Sequence, residues 1–314
     1  RQEFDIFASM TPAKEVGGDF YDFFLVDEDH LAMVMADVSG KGVPAAMFMM
    51  ISKTLIKSAT QSGLSPAAVL EKVNNQLCEN NDAEMFVTVW LGILEISTGK
   101  MICANAGHEY PVIMRKDGEF ELYKDKHGFV LAAMEDIRYK EYELEMNAGD
   151  RLFVYTDGVP ETINLSNTLY GTDRMVVALN RAKTGSCSQL LEAVHQDVKF
   201  FAGEAEQFDD ITMLCLEIKN TLPDLKEIKI EPSLDKLPEV TEFFDRILSE
   251  AEVPAKTILQ INVVVDEILS NIIYYSGATS VKAGCASTNN QVILQFTDNG
   301  RPYDPREKAD PDIS

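Results

Sequence analysis

Residues 31–49 read LAMVMADVSGKGVPAAMFM. Leu31 to Val38 is a β-rich run whose apolar character breaks only at Asp37. The turn Ser39-Gly40-Lys41-Gly42 follows, and Pro44 lies in the first turn of an expected helix, Pro44 to Ser62, rich in Ala and Met. Asp37 therefore stands at the lip of an apolar strand. Taking an ionised carboxylate out of water there is costly unless a cation or hydrogen-bond donors compensate it.

Upstream, Phe4 to Ala8 and Asp19 to Val26 are further strand-like runs, and with Leu31 to Val38 they read as an opening meander. Downstream, Ser65 is a candidate N-cap for a second amphipathic helix, Pro66 to Asn80. Antiparallel hairpins are expected over Phe86 to Ile96, Met101 to Ala106, Pro111 to Met114 and Phe120 to Tyr123, with Tyr139 to Met146 and Arg151 to Tyr155 extending them. Helices at Thr172 to Arg181 and Ser188 to Phe201 precede a last strand, Ile211 to Ile218. The order predicts an α/β domain over 1–219, a sandwich of two antiparallel sheets flanked by helices. A Pro-containing linker at 220–225 leads to a smaller α+β domain over 226–314. In it, strand Lys226 to Ile230, helices Leu237 to Ala251 and Pro254 to Ser276, and strands Ser280 to Ala286 and Gln291 to Thr297 are expected.

Bulk properties narrow the function. A formal net charge of −23 repels nucleic-acid phosphates, so no nucleic-acid partner is expected. The 5 cysteines are scattered and form no CxxC pair, which fits reduced thiols and a cytoplasmic setting, including the cytoplasmic part of a membrane-linked sensor. No signal peptide is read at the start, and Asn262, Asp266, Glu267 and Asn271 interrupt the longest apolar run, Ile258 to Tyr275, against a bilayer span. The acidic turn at Asp27 and Asp29 lacks the glycine and glutamate that a calcium loop requires.

Asp37 has counterparts. Asp19, Asp157 and the pair Asp209-Asp210 also sit where strand-like segments meet turns. Each alone is an ordinary turn residue, but four such positions brought together would repel one another strongly without a metal. Hard divalent ions such as Mg²⁺ and Mn²⁺ suit an oxygen-rich set with few histidines. The blocks EVGGDFYDFF, ADVSGKGVPAAMFM, ANAGHEYP, FVYTDGVPE and FDDIT resemble the PPM metal-dependent serine/threonine phosphatases, in particular the bacterial SpoIIE-like branch of sporulation and stress-response enzymes. That resemblance implies a PPM-type αββα sandwich holding two Mg²⁺ or Mn²⁺ ions. Asp37 would bridge both, the Val38 carbonyl would complete one shell, and Asp157 and Asp209 would bind the second side. Asp19 would act through water, and Asp210 stays open beside Asp209. Asp37 and Asp157 are the catalytic carboxylates of such a centre, where a water activated between ions about 3.5–4 Å apart attacks phosphorus in line. Lys14 is a cation for substrate phosphate or a solvated side chain, and His108 a turn histidine or a general acid.

In the second domain Glu267 and Asn271 share one helix face, either a buried face that wants a ligand or a solvated stripe on an amphipathic helix, and Asp298-Asn299-Gly300 closes a β-rich run. These positions resemble the GHKL ATPase fold of anti-sigma-factor serine kinases. The resemblance implies that Glu267 orients water or acts as base, that Asn271 holds Mg²⁺ beneath ATP, and that Asp298, with Gly300 in its turn, takes the adenine amino group. Arg301-Pro302 stands where a second glycine is usual, and the Gly-rich lid over the phosphates is not among these residues. The two resemblances together imply a phosphatase for a phosphorylated STAS-type antagonist in a partner-switching pathway. Joined to it is a kinase-like module, with a sigma factor as a possible partner, or an adaptor that only binds a partner. They also imply an upstream sensor outside these residues and possible homodimers, with the helices after Asp37 transmitting the signal to the ligand turn.

Overall fold

The computed structural model describes residues 3–79, 81–124, 127–219, 225–287 and 292–301. The chain divides into two compact units, Arg1–Thr221 and Leu222–Ser314. All but Leu225 of the expected linker lies outside the described residues, as do Asn80, Gln291 and everything from Pro302 onward.

In the first unit, β2 (Phe20–Leu25), β3 (His30–Val38), β4 (Val87–Glu95), β5 (Lys100–Ala106) and β8 (Glu141–Glu145) form one antiparallel sheet in the order β2-β3-β4-β5-β8. The second sheet has the order β1-β10-β9-β6-β7, from β1 (Phe4–Thr11), β6 (Val112–Met114), β7 (Phe120–Leu122), β9 (Arg151–Tyr155) and β10 (Ile211–Ile218). The opening meander is thus corrected. β1 leaves β2 and pairs along its whole length with β10, Phe4 opposite Ile218 and Thr11 opposite Ile211.

Side-chain alternation explains why these strands are apolar nearly throughout. Leu31, Met33 and Met35 enter a core between the sheets with Trp90, Leu152, Val154, Leu214 and Leu216. Val34, Ala36 and Val38 face the other way, onto Ile56, Val69, Leu70 and Val73 of α1 (Val43–Gln61) and α2 (Pro66–Cys78). On the second sheet, Phe153, Tyr155, Met213 and Cys215 meet α3 (Thr172–Arg181) and α4 (Cys187–Ala202). Both faces of each central strand are buried, giving four layers in the order helices, sheet, sheet, helices.

The second unit is a three-stranded antiparallel sheet, β11 (Lys226–Ile230), β12 (Val281–Ser287) and β13 (Val292–Asp298), in that order. It shares a core with α5 (Leu237–Glu250) and α6 (Ala255–Asn271), built on Val240, Phe244, Leu248, Val265, Leu269, Val281 and Ala283. The expected single helix to Ser276 changes at Ile272 into a π-helical turn, Ile272–Ser276, which ends on Gly277 in left-handed backbone. By length and apolar composition Ala255–Ser276 could cross a membrane. Here Val265 and Leu269 are fully buried in the core of this unit.

Candidate active site

Strand pairing delivers the acidic turns to one place. β2 and β3 are antiparallel with Phe20 opposite Ala36, so Asp19 at the entry of one lies beside Asp37 at the exit of the other. β9 and β10 are antiparallel with Tyr155 opposite Met213, so Asp157 lies beside Asp209-Asp210. Bonds then cross between the sheets. The hydroxyls of Thr156 and Thr212 donate to Asp19 Oδ2 at 2.7 and 2.6 Å.

Asp19 is 2% exposed. Burial raises its carboxyl well above the usual range, although the two threonine hydroxyls pull the other way. Asp37 is raised too, first by burial and then by the charges of Asp19, Asp157 and Asp209. Asp157 is pushed up to about 6 by burial, with Glu161, Asp209 and Glu109 adding repulsion. These carboxylates stand within each other's field in a setting poor in positive charge, which is what a hard cation relieves. Asp19 and Asp37 are close enough for their carboxyls to share a hydrogen bond, which favours the proton on Asp37. Among the described residues, the group with ligand atoms within 4.8 Å of one another is Asp5, Cys187 and Glu217, elsewhere in the domain. There Glu217 is taken by Arg151, 3.2 Å away.

The neighbours Asp209 and Asp210 are used differently. Asp210 is buried and accepts backbone N–H bonds from Ala13 at 2.8 Å, Gly18 at 2.9 Å and Asp19 at 3.4 Å, which clamps the 13–19 loop onto the start of β10. Asp209 is partly exposed and pairs with Lys41 Nζ at 3.0 Å. Two glycines permit the approach of these loops: a methyl on Gly18 would lie 2.8 Å from the Val38 carbonyl oxygen, and one on Gly158 would lie 1.9 Å from the Asp210 carbonyl oxygen. Asp37, Asp209, Asp210, Gly18, Lys41 and the exposed Lys14 line one small cleft.

Lys41, Glu109, Glu161, Thr156 and Thr212 join the site without a role that the sequence alone assigns them. The signal was present, since Thr156 and Thr212 flank the aspartates in the TDG and DDIT blocks. Their hydroxyls gain meaning only once Asp19 lies between the two strands.

His108 is buried. Its Nε2–H donates to the Tyr155 carbonyl at 3.0 Å, leaving Nδ1 to accept from the Thr88 hydroxyl at 2.9 Å. Burial lowers its pKa to about 3, so the ring is a neutral tie between β4 and β9. The unfolded chain takes a proton on this histidine near the ordinary value of about 6.5, whereas the folded chain does not until about pH 3. The unfolded state binds more protons in that window, so stability falls as pH drops through it, by up to about 1.4 kcal/mol per pH unit. His108→Gln is expected to lose this slope and to be less stable by about 2 kcal/mol at pH 7. Denaturant titration followed by Trp90, the chain's 1 tryptophan, buried between the sheets, checks both. Equal slopes between pH 7 and pH 5 would reject the account.

In the second unit the expected nucleotide residues lie at one end of α6 and at the end of β13. Asn271 Nδ2 donates to Glu267 Oε1 at 3.4 Å. Both are exposed, which matches the solvated stripe and not the buried face. Asp298 Oδ1 accepts from the Gly300 N–H at 2.7 Å, and the Arg301 N–H reaches the Ser276 carbonyl at 2.8 Å, tying the Asp298 turn to the π-helical end of α6.

Two antiparallel sheets between helix pairs, with aspartate turns gathered at one end, define the fold of PP2C-type phosphatase domains. The SiaA-PP2C domain of Pseudomonas aeruginosa aligns with a TM-score of 0.61 at 23% identity, over 68% of this chain and 86% of that one. The structure of the RsbU and RsbW domains of Rv1364c from Mycobacterium tuberculosis aligns with a TM-score of 0.61 at 21% identity, covering 95% of this chain and 84% of that one. The chain belongs to the SpoIIE family, whose model, Stage II sporulation protein E, matches residues 27–219. Residues 230–314 match the histidine kinase-like ATPase domain. Among curated proteins, phosphoserine phosphatase RsbU of Bacillus subtilis is 30% identical over 216 residues, 68% of this chain and 63% of that protein. Protein IcfG of Synechocystis is 30% identical over 242 residues, 68% of this chain and 38% of that protein. The chain thus spans less than two thirds of the length of either relative.

Proposed function

We propose that the first domain is a Mg²⁺- or Mn²⁺-dependent phosphatase acting on phosphoserine or phosphothreonine of a regulator protein. The observation that carries this reading is the meeting of Asp19, Asp37, Asp157 and Asp209 from four strand ends, with burial raising Asp19, Asp37 and Asp157 above the usual carboxylate range and repulsion within the set adding to it at Asp37 and Asp157. The donor set is all oxygen and negatively charged, which fits hard divalent ions. Asp37, the Val38 carbonyl, Asp157 and Asp209 are the residues proposed to hold them. Asp19, already taken by two threonine hydroxyls, would act through water, and Asp210, committed to backbone N–H groups, would hold the loops rather than an ion. When bound, two such ions supply neutralisation of phosphoryl oxygens and activation of a water nucleophile. Asp37, which feels the charge of all three other carboxylates, would be the central residue holding the ions. Lys14, exposed at the cleft, is placed to attract a phosphoryl group. The name phosphoserine phosphatase carried by RsbU supports the same reaction class, with a phosphorylated STAS-type antagonist in a cytoplasmic partner-switching pathway as the substrate.

With Mn²⁺ the intact chain is expected to hydrolyse p-nitrophenyl phosphate and to release inorganic phosphate from a phosphoserine protein, and excess EDTA should remove both activities. Phosphate release that is no faster with Mn²⁺ than with EDTA rejects the reading.

For the second domain we propose ATP binding through Glu267, Asn271, Asp298 and Gly300, in support of a serine-kinase-like activity. The exposed Glu267–Asn271 pair equally suits a surface that only docks a partner. Calorimetric titration with Mg²⁺-ATP separates the two: heat of binding lost in Asn271→Ala supports the nucleotide site, and none in the parent chain supports the adaptor.

A further inference from the structure

One cation is already seated in the candidate metal centre. Lys41 Nζ lies 3.0 Å from Asp209 Oδ2, donates to the Phe208 carbonyl at 2.5 Å and stands 3.7 Å from the centroid of the Phe208 ring. An ion pair, a carbonyl and an aromatic face satisfy the ammonium from three sides.

The loop that carries it is built to let it reach. Ser39 is fixed, because its N–H donates to the Phe86 carbonyl at 2.9 Å and its hydroxyl accepts from the Phe86 N–H at 2.9 Å. Beyond that anchor Lys41 sits between Gly40 and Gly42, both in left-handed backbone with φ of 87° and 79°. Its side chain therefore links the turn that carries Asp37 and Val38 to the segment that carries Asp209, 168 positions later in the chain. The Asp209 segment is held independently. The Gln207 side chain donates to the Thr11 carbonyl at 2.7 Å and to the Asp209 carbonyl at 2.8 Å, so the backbone at Asp209 has a hold that does not run through Lys41.

We propose that Lys41 is an internal counter-ion for Asp209, which a divalent cation must displace in order to use that carboxylate. The inference rests on the metal-centre reading above. An ammonium at hydrogen-bond distance from Asp209 Oδ2 and a dication ligated by the same carboxylate would repel each other across a few ångströms of partly dry space. One must leave. Lys41 is free to do so, since its side chain is 33% exposed and the glycines on either side allow the loop to turn outward. The same exposure limits the strength of the pair, because solvent and salt screen it. Lys41 is thus a positioning residue that sets how readily the second side of the centre fills.

The test is calorimetric titration of Mn²⁺ into the intact chain without substrate, comparing the parent with Lys41→Met and Lys41→Arg. Lys41→Met is expected to bind Mn²⁺ about two- to fivefold more tightly, the range that a partly exposed ion pair supports. Lys41→Arg, which keeps the charge, should stay within error of the parent. The difference between parent and Lys41→Met should shrink as salt is raised from 0.05 to about 0.5 M. Phe208→Leu removes the ring beneath the ammonium without touching the ion pair and should shift affinity the same way by a smaller factor, so the inference stays testable if Lys41→Met folds poorly. Mn²⁺ affinity in Lys41→Met equal to or weaker than in the parent overturns the role of Lys41 and leaves the metal reading standing. A parent chain that takes up no Mn²⁺ overturns both.

Discussion

Asp37→Asn is expected to lower Mn²⁺-dependent phosphate release by on the order of a thousandfold while making the metal-free protein more stable. The two effects have one origin. Asp37 is raised by burial and by the charges of Asp19, Asp157 and Asp209, so its ionised form is the costly member of the cluster when no cation is present. A carboxyl whose folded pKa is raised favours folding when protonated and loses that advantage as pH climbs from its ordinary value toward the folded one. Asn is neutral at every pH and nearly isosteric, so the substitution removes this loss. Allowing for the partial exposure of Asp37, the gain at pH 7 should be about 1–2 kcal/mol, read from denaturant titration of Trp90 fluorescence in EDTA. Added Mn²⁺ should then raise the melting temperature of the parent much more than that of the variant. Undiminished turnover would remove Asp37 from the chemistry. A variant less stable than the parent in EDTA would instead show that repulsion does not dominate the empty site.

The candidate site residues share a local pattern legible in the sequence, an aspartate where an apolar strand meets a turn, at the strand exit for Asp37 and Asp157 and at the strand entry for Asp19 and Asp209. What the sequence could not supply was decided by pairings across long separations. β1 reads locally like the first strand of a meander, and only its register with β10, Phe4 opposite Ile218, moves it to the other sheet. Asp209 and Asp210 are identical neighbours, yet one turns into the 13–19 loop and the other toward Lys41. No local pattern distinguishes them. Periodicity put Glu267 and Asn271 on one face of α6, but whether that face is covered depends on the sheet it packs against, and the sheet covers the side of Val265 and Leu269. Lys41 was passed over for the opposite reason. A lysine between two glycines looks like a solvated turn until Phe208 and Asp209 arrive beside it from the far end of the domain.

Gly158→Ala is expected to destabilise the first domain by about 2–4 kcal/mol and to weaken Mn²⁺ binding by at least roughly tenfold. The added methyl would lie 1.9 Å from the Asp210 carbonyl oxygen and 2.9 Å from its carbon, which are backbone atoms that cannot swing aside as a flexible side chain would. Nor can the Asp157 turn yield alone. The Glu161 N–H donates to the Asp157 carbonyl at 2.8 Å, the Thr162 hydroxyl to the Gly158 carbonyl at 2.7 Å, and the Gly171 N–H to the Pro160 carbonyl at 2.9 Å. Relief must come from parting the end of β9 from the start of β10, which carries Asp157 away from Asp209 and loosens the threonine hydroxyls that converge on Asp19. Gly171→Ala, 13 positions along, is the matched control. That position has φ of 79° and ψ of 152° with nothing within 4 Å of the added methyl, so it carries backbone strain of about 1–3 kcal/mol and no clash. Its Mn²⁺ affinity should equal the parent's. If Gly158→Ala behaves like this control in both stability and Mn²⁺ affinity, then the close contact at Gly158 is not what holds the two carboxylates together, and the centre must owe its geometry to the strand register alone.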